Sequence, residues 1–511
     1  MKKKFNNSDA LWSNWFSADN KNVVAILIVL ILCAIGLYLR FTGLNFSLWH
    51  DEVYTMYKYV NKGISGVLWD NYTPNNHILY SLVILGLTSV FGFSEFIVRL
   101  PALLAGFLAI LCIFVIIKNN IGIFASIVFL AFSLFNVEQV DLSTQARGYG
   151  FAFFFSALLL YYSYRIVLNQ GKYNYAALAV VTVLGVYSYP LFIVLSVATY
   201  LQLLFMTGRW KFLFISGLAA AVAMVILHLP VLGDFFNYYL DGAQSYGTPL
   251  PWHAFITLPV EGMRDVYGGG INQLPFILQG FIVEYLIIFA FVIVGLALMW
   301  KNNKNLVMLI IIPPTVLYII SSLLSIPMVP RFISFISLHY IALLSVGMAD
   351  SINHLLTYRL KYLNSIASII TALTISLLIA GFTLTAFVRT QEVKAMPREN
   401  FKEAFQVAKR ADYQDFVIVT NSKRAVNFQF YAEEMLGVDQ VNVFKDNDDL
   451  LLTEIKRLNS ISNVILFDHV FLREPIEGLA ELLEGNSKPH QVSQRRRGYI
   501  KIYLIDQNSL K

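Results

Sequence analysis

Eleven long apolar stretches, strung along 511 residues, decide most of what this chain can become. They cover about 23–41, 97–117, 121–136, 149–168, 173–188, 190–206, 211–231, 277–299, 305–324, 331–349 and 362–388. A helix needs ~20 such residues to cross the hydrocarbon core of a bilayer. Inside that core every backbone N–H and C=O must be paired within the protein. With 57% of residues hydrophobic and 14% charged, the chain is far too apolar for a soluble fold. The expected class is a polytopic α-helical membrane protein with about eleven spans.

The first stretch, Val23 to Phe41, follows Lys2-Lys3-Lys4 in the manner of a signal peptide. Its apolar core is too long for one, and no small-residue cleavage site precedes Arg40, so it reads as a retained anchor with the tail 1–22 in the cytoplasm. Lys and Arg gather in cytoplasmic loops. That bias accounts for the net charge of +6 without a nucleic-acid partner, and none is expected. Arg495-Arg496-Arg497 reads as a solvated or lipid-facing patch. Cys33 and Cys112 both fall inside apolar spans, so no disulfide is expected.

Loop charge also sets the topology. A weaker apolar segment, about 77–92, contains Gly86, Thr88 and Ser89. If it lies in the interface as an amphipathic element, the loops with Lys118, Arg165, Lys172, Arg209, Lys211, Lys301, Lys304, Arg359 and Lys361 all become cytoplasmic. The outer loops are then 42–96, 137–148, 232–276 and 325–330. They collect Asp51, Glu52, His77, Glu138, Asp141, Arg147, His253, Glu261, Arg264 and Asp265, with Arg331 opening the next span at the same face. Polar chemistry gathered at one membrane face fits an interfacial enzyme. A transporter places its ionisable groups near the midplane between repeated halves, and no repeat is evident.

The composition changes after Val388. Phe416–Thr420 and Val464–Phe467 read as buried strands, and Tyr499–Ile505 as a further strand at an edge. Arg398–Arg410, Ala425–Leu436 and Asp449–Leu458 have helical spacing. A small extracytoplasmic α/β domain over 397–511 is expected, with a structural or acceptor-docking role. It lacks any Gly-rich phosphate loop.

Several short runs could carry chemistry. Asp51-Glu52 sits just outside the first span, within Leu48-Trp49-His50-Asp51-Glu52. Charge near hydrocarbon is costly. The pair is either two solvated loop acids marking a helix exit or a site of chemistry, since an Asp held near a membrane surface can deprotonate an acceptor hydroxyl as a general base. Asn75-Asn76-His77 offers donors and acceptors suited to a sugar, although a lone His is more often a hydrogen-bonding residue. Ser94-Glu95 reads as a helix start, and Arg99 as a snorkelling anchor. Arg147, in Asp141-Leu142-Ser143-Thr144-Gln145-Ala146-Arg147-Gly148-Tyr149, lies on the side where positive charge is disfavoured. It pairs with Asp141 or Glu138, or meets an anionic partner such as a phosphate, and the segment alone favours neither. Arg331 in Pro330-Arg331-Phe332 is open between the same two roles.

Taken in order, these runs resemble the dolichyl-phosphate-mannose protein mannosyltransferase group. These are integral-membrane glycosyltransferases of the GT-C fold (glycosyltransferase family 39 type), with the lipid A aminoarabinose transferase among bacterial relatives. The matching pieces are Leu48 to Glu52, Pro74 to Leu79, Phe91-Gly92, Ser94-Glu95, Arg99-Leu100-Pro101, Gln145 to Tyr149 and Pro330 to Phe332. The match covers about the first 150 residues strongly and the rest by architecture.

The resemblance implies a polyprenyl-phosphate-linked sugar donor, membrane lipids as surroundings, and a protein, glycan or lipid acceptor. Asp51 would act as general base, Glu52 would orient or support the acceptor site, and the reaction would invert the anomeric centre. Asn76, His77, Arg99, Asp141, Gln145, Arg147, Tyr149 and Arg331 would line the substrate site, the last Arg and Arg147 facing the leaving phosphate. The chain departs from the group where Gln145 replaces a common Glu and where Asn76-His77 replaces His-Pro or Pro-Pro. Metal use varies in the group, so a divalent ion is left unassigned and no other cofactor is expected. The rival readings are a lipid-linked oligosaccharide flippase or transporter, and a non-catalytic receptor.

Overall fold

Most of the apolar stretches are helices in the computed structural model. It describes residues 18–70, 73, 75–237, 281–323, 334–362, scattered positions between 381 and 391, and then 399–410, 416–420, 425–438, 441–443, 448–459, 462–470, 490–493 and 499–507. The chain divides into two units. The first comprises Met1–Thr42, Asn71–Tyr80 and Arg99–Val393; the second comprises Gly43–Asp70, Ser81–Val98 and Lys394–Lys511.

In chain order the helices are α1 (Ala18–Phe41), α2 (His50–Lys58), α3 (Gly63–Trp69), α4 (Ile78–Phe91), α5 (Glu95–Asn120), α6 (Ile123–Phe135), α7 (Val137–Ser143), α8 (Tyr149–Val167), α9 (Tyr173–Ser188) and α10 (Phe192–Thr207). Then come α11 (Trp210–His228), α12 (Leu232–Asn237), α13 (Phe281–Leu323), α14 (Ser337–Tyr362), α15 (Phe401–Lys409), α16 (Ala425–Leu436) and α17 (Asp448–Asn459). Among the described residues five helices are long and apolar enough to cross a bilayer: Val23–Phe41, Glu95–Asn120, Tyr149–Val167, Trp210–Asp234 and Ser334–Ile352. The span expected over 362–388 lies almost wholly outside the described residues, as do most of the expected outer loop 232–276 and all of 325–330.

Two asparagines break the helices at the edges of the expected spans. The run 121–136 continues past a 59° bend into α7. Asn136 makes the break: its backbone is extended and its side chain accepts the Gln139 N–H, which starts a new helix inside the expected loop 137–148. The runs 277–299 and 305–324 are joined as α13, broken at Asn303, whose φ/ψ of −151°/68° is not helical. Asn303 caps the second half by accepting the Leu306 N–H at 3.2 Å, and its amide bonds Asn120 and Tyr164. The helix α4 has 14 residues. It is therefore about 21 Å long, short of the ~30 Å hydrocarbon core. Thr88 and Ser89 return their hydroxyls to the preceding turn, so α4 presents an apolar surface.

Burial grades the first unit from lipid-facing to central. Only 22% of the apolar stretch in α1, and of that from Trp210, is buried, against 78% for that from Ser334. Central α14 packs on α13 through Gly347 and Gly295. A Cβ at either would lie 1.9 or 2.0 Å from the partner backbone oxygen, of Phe291 or Leu343 respectively. Small residues allow such close crossings where no hydrophobic drive exists between helices. Arg40, fully buried at the end of α1, donates to the carbonyls of Gly36 and Leu134 and so ties α1 to the broken end of α6.

Among the described residues the second unit contains a five-stranded sheet in the order β2-β1-β3-β5-β4. The strands are β1 (Phe416–Thr420), β2 (Asn442–Val443), β3 (Asn463–Val470), β4 (His490–Ser493) and β5 (Tyr499–Ile505). β1 runs parallel to β2 and β3, while β5 is antiparallel to β3 and β4. Period-2 alternation divides β3 between two cores. Val464 and Leu466 pack with Val419, Leu451, Ile455 and Leu458 against α17, while Phe467 stacks on Phe405 of α15 at 4.6 Å and meets Phe428 of α16.

The expectation for β5 needs correction. It lies inside the sheet, and the unforeseen strands β2 and β4 form the edges. The reason is visible in its burial. Ile500 and Ile502 are fully buried, and so is Ile505, which belongs with Tyr503 to the other core. A strand covered on both faces reads as a nearly continuous apolar run.

Candidate active site

The acidic motif belongs to the second unit. Trp49 precedes α2, and the Glu52 carboxylate accepts the Trp49 N–H at 3.0 Å. Glu52 is fully buried. It therefore works as the return half of a capping box, satisfying a donor that the first turn leaves unpaired. Asp51 sits half-buried in that same first turn, where the helix N-terminus favours negative charge. Its carbonyl accepts the Thr55 hydroxyl at 3.0 Å. His50 is held twice: its N–H donates to Glu399 at 2.8 Å, and its Nδ1 lies 2.7 Å from Asn427 Oδ1.

Ser94 starts α5, as the sequence suggests, by accepting the Ile97 N–H at 3.2 Å. Glu95 does more than begin a helix. Its buried carboxylate pairs with Lys402 at 2.7 Å. Partial burial, with Glu433 and Glu95 nearby, pushes the Glu434 carboxyl above its ordinary 4.5. Burial and Glu433 likewise raise the Tyr57 phenol.

A second cluster forms in the first unit around Arg147. This guanidinium is only 3% exposed, and a charge so far from water must be hydrogen-bonded. Its Nη1 donates to Asn75 Oδ1 at 2.8 Å, and its Nε and Nη2 reach His77 Nε2 at 3.2 and 3.0 Å. His77 Nδ1 faces the Ser188 carbonyl at 3.1 Å. A carbonyl only accepts, so Nδ1 carries the proton and Nε2 offers its lone pair to Arg147. The imidazole stacks on Tyr189 at 5.4 Å, and the guanidinium lies 5.4 Å from the Tyr149 ring. Gly148 allows this closeness, since a Cβ there would come 2.5 Å from the Ser188 oxygen and 2.9 Å from the His77 ring.

The remaining candidates distribute as follows. Gln145 donates to Asp141, one turn earlier, at 3.0 Å. Asn76 is buried beside His77, and Arg99 is buried on α5. Asn75, His77, Arg147 and Tyr149 come together; Asp51 and Glu52 belong to the other unit, and Arg331 lies outside the described residues. Among the described residues no three His, Cys, Asp or Glu side chains gather at metal-binding distances.

Sequence reasoning missed Ser188 and Tyr189, which close the Arg147 cluster. Their signal was the polar break Tyr187-Ser188-Tyr189-Pro190 between two apolar runs. It also missed Glu399, Lys402, Asn427 and Tyr431, for which local sequence gives no signal.

A search of curated protein sequences finds no match to the chain. Residues 75–233 match the family model described as dolichyl-phosphate-mannose-protein mannosyltransferase. Solved structures of similar fold include ArnT from Cupriavidus metallidurans in the apo state and the same protein bound to undecaprenyl phosphate. Each aligns at a TM-score of 0.56 and 13% sequence identity, covering 95% of this chain and 98% of that chain. The chain thus has the GT-C fold of a multi-pass integral membrane protein, and its residues 75–233 carry the mannosyltransferase pattern.

Proposed function

We propose that this chain transfers a sugar from a polyprenyl-phosphate-linked donor to an acceptor hydroxyl on the outer face of the membrane, with inversion. The observation that carries the reading is the buried Arg147, oriented by His77 and Asn75 within the segment that matches the mannosyltransferase family. Support comes from the likeness of fold to ArnT, a protein crystallised with undecaprenyl phosphate.

In this reading the acceptor oxygen attacks the anomeric carbon while Asp51 takes its proton. The bond between that carbon and the phosphate oxygen breaks, and its electron pair leaves with polyprenyl phosphate. Arg147 offsets the charge that grows on the departing phosphate, and Arg331 is the second candidate cation. Glu52, as a cap, holds the first turn of α2 from which Asp51 projects. The transmembrane domain is 23–388, and the 397–511 domain stands outside the membrane.

The test is transfer from radiolabelled polyprenyl-phosphate sugars in membranes carrying the wild type or Asp51→Asn. A general base contributes ~10²–10⁴-fold, so transfer should fall by at least the lower figure in the variant. Wild-type membranes that transfer no sugar from any donor in a broad panel would refute the reading and favour a flippase. Transfer surviving in Asp51→Asn would keep the enzyme class and remove the base.

A further inference from the structure

The stretch carrying Asp51 is held by residues of the C-terminal domain, more than three hundred positions away along the chain. The Leu48 N–H donates to the Tyr431 hydroxyl at 2.7 Å, across a separation of 383 residues. The His50 N–H donates to Glu399 across 349 residues, and the His50 ring meets Asn427 across 377. The Lys402 N–H donates to Ser47 Oγ at 3.2 Å, and its ammonium pairs with Glu95. The residues immediately before Asp51, and the Glu95 that opens α5, thus meet α15, α16 and the Glu399 that precedes them.

These contacts are stiff for a physical reason. Tyr431, Glu399 and Asn427 are at most 2% exposed. Water cannot replace a lost partner there, so each polar group holds its position. Tyr431 is itself seated on the sheet's aromatic layer, stacking on Phe401 at 6.3 Å and Phe405 at 6.2 Å. The helix being held has nine residues, too few to be stable alone in water. Its first turn presents unpaired N–H groups. Glu52 takes one from within the motif, while Glu399 takes another from the distant domain.

We propose that the C-terminal domain is a positioning element for the acidic motif, with Tyr431, Asn427 and Glu399 fixing where Asp51 meets the acceptor hydroxyl. This inference rests on the reading of Asp51 as the base. It gives the domain a catalytic duty that docking or solubility would not require. The three are positioning residues: they act on Leu48 and His50, which adjoin the base.

The experiment uses the full-length protein in lipid nanodiscs, with the polyprenyl-phosphate sugar found active in the membrane panel. Tyr431→Phe, Asn427→Ala and Glu399→Ala each remove one tether, Glu399→Gln keeps an acceptor, and Ile455→Val loosens the opposite core without touching the motif. A misplacement of about 1 Å costs up to ~100-fold in rate. The expected result is kcat lowered about 10- to 100-fold in the three tether variants, with KM for the lipid donor changed less than about twofold. Glu399→Gln recovers most of the rate, and hydrogen exchange of the 47–53 amides quickens in Tyr431→Phe. Ile455→Val lowers the melting temperature while kcat per folded molecule stays at wild type.

Tether variants with wild-type kcat, or with losses that only follow the folded fraction, overturn the inference and leave the domain structural. If the wild type transfers and Asp51→Asn does not, that result strikes the inference alone. If Asp51→Asn transfers normally, the reading of the base fails and the inference goes with it.

Discussion

Replacing Gly148 by Ala tests the packing around Arg147 with a single methyl group. The residue has φ −67°, a conformation open to any amino acid, so its identity reflects space. The added carbon would lie 2.5 Å from the Ser188 carbonyl oxygen and 2.9 Å from His77 Cγ and Nδ1. Carbon and oxygen settle at about 3.3 Å or more, so something must move by roughly 0.8 Å. Neither neighbour is a flexible tip. One is backbone at the end of α9, and the other is a ring stacked on Tyr189 and bonded to Arg147.

Overpacking of this kind costs about 1–3 kcal/mol. Losing the His77–Ser188 hydrogen bond adds about 1 kcal/mol, for a total near 2–4 kcal/mol. If Arg147 shifts with His77, sugar transfer falls up to ~100-fold. Gly217, in α11, is the control, because a Cβ there meets nothing nearer than Tyr200 at 3.6 Å. Ala at 217 should be neutral or stabilising by up to ~1 kcal/mol. Thermal unfolding of the purified protein and transfer per folded molecule read both changes. A Gly148→Ala protein that unfolds and transfers like the wild type refutes the described packing of His77 between Ser188 and Arg147.

Three further outcomes follow from the same geometry. Glu52→Ala removes the acceptor for the Trp49 N–H and should cost about 1 kcal/mol in stability, whereas Glu52→Gln keeps an acceptor and should transfer near the wild-type rate; a dead but folded Gln variant would give Glu52 a role in the chemistry. Arg147→Lys cannot bond Asn75 and His77 together, and transfer should drop ~10²–10³-fold with the fold intact, as circular dichroism and rate measurements would show. Glu434→Gln should raise the melting temperature at pH 7. The Glu434 carboxyl is raised in the folded state, so its ionisation opposes folding increasingly as pH rises above the ordinary 4.5. The gain should be small, because the side chain is exposed in area, and should vanish below pH 4.5; an equal gain at pH 4 would contradict the assigned cause.

Legibility varied with the range of the interaction. The ends of α9 and α16 agree with the stretches expected from apolar spacing, because turns, polar ends and periodicity are local. The break at Asn303 falls between the two expected spans, next to Lys301 and Lys304, for the same reason. Tyr499–Ile505 was legible as a strand, but its place inside the sheet was not, since β4 pairs with it in a register that its own sequence does not state. Asp51-Glu52 was legible as an acidic pair soon after the first apolar stretch. That Glu52 caps the helix became visible only with the hydrogen bond to Trp49.

By itself the sequence determined that this is a polytopic membrane protein with a small α/β domain after its last apolar stretch, because hydrophobic length and period are properties of contiguous residues. It also carries an ordered set of motifs that resembles the dolichyl-phosphate-mannose protein mannosyltransferase group. Tertiary structure alone decided which side chains share an environment. It set His77 and Asn75 on Arg147, 70 and 72 residues apart, and Tyr431 on Leu48 across 383. Such contacts depend on the folding of everything between them, and a polar group buried without water accepts whichever partner the packing brings within reach.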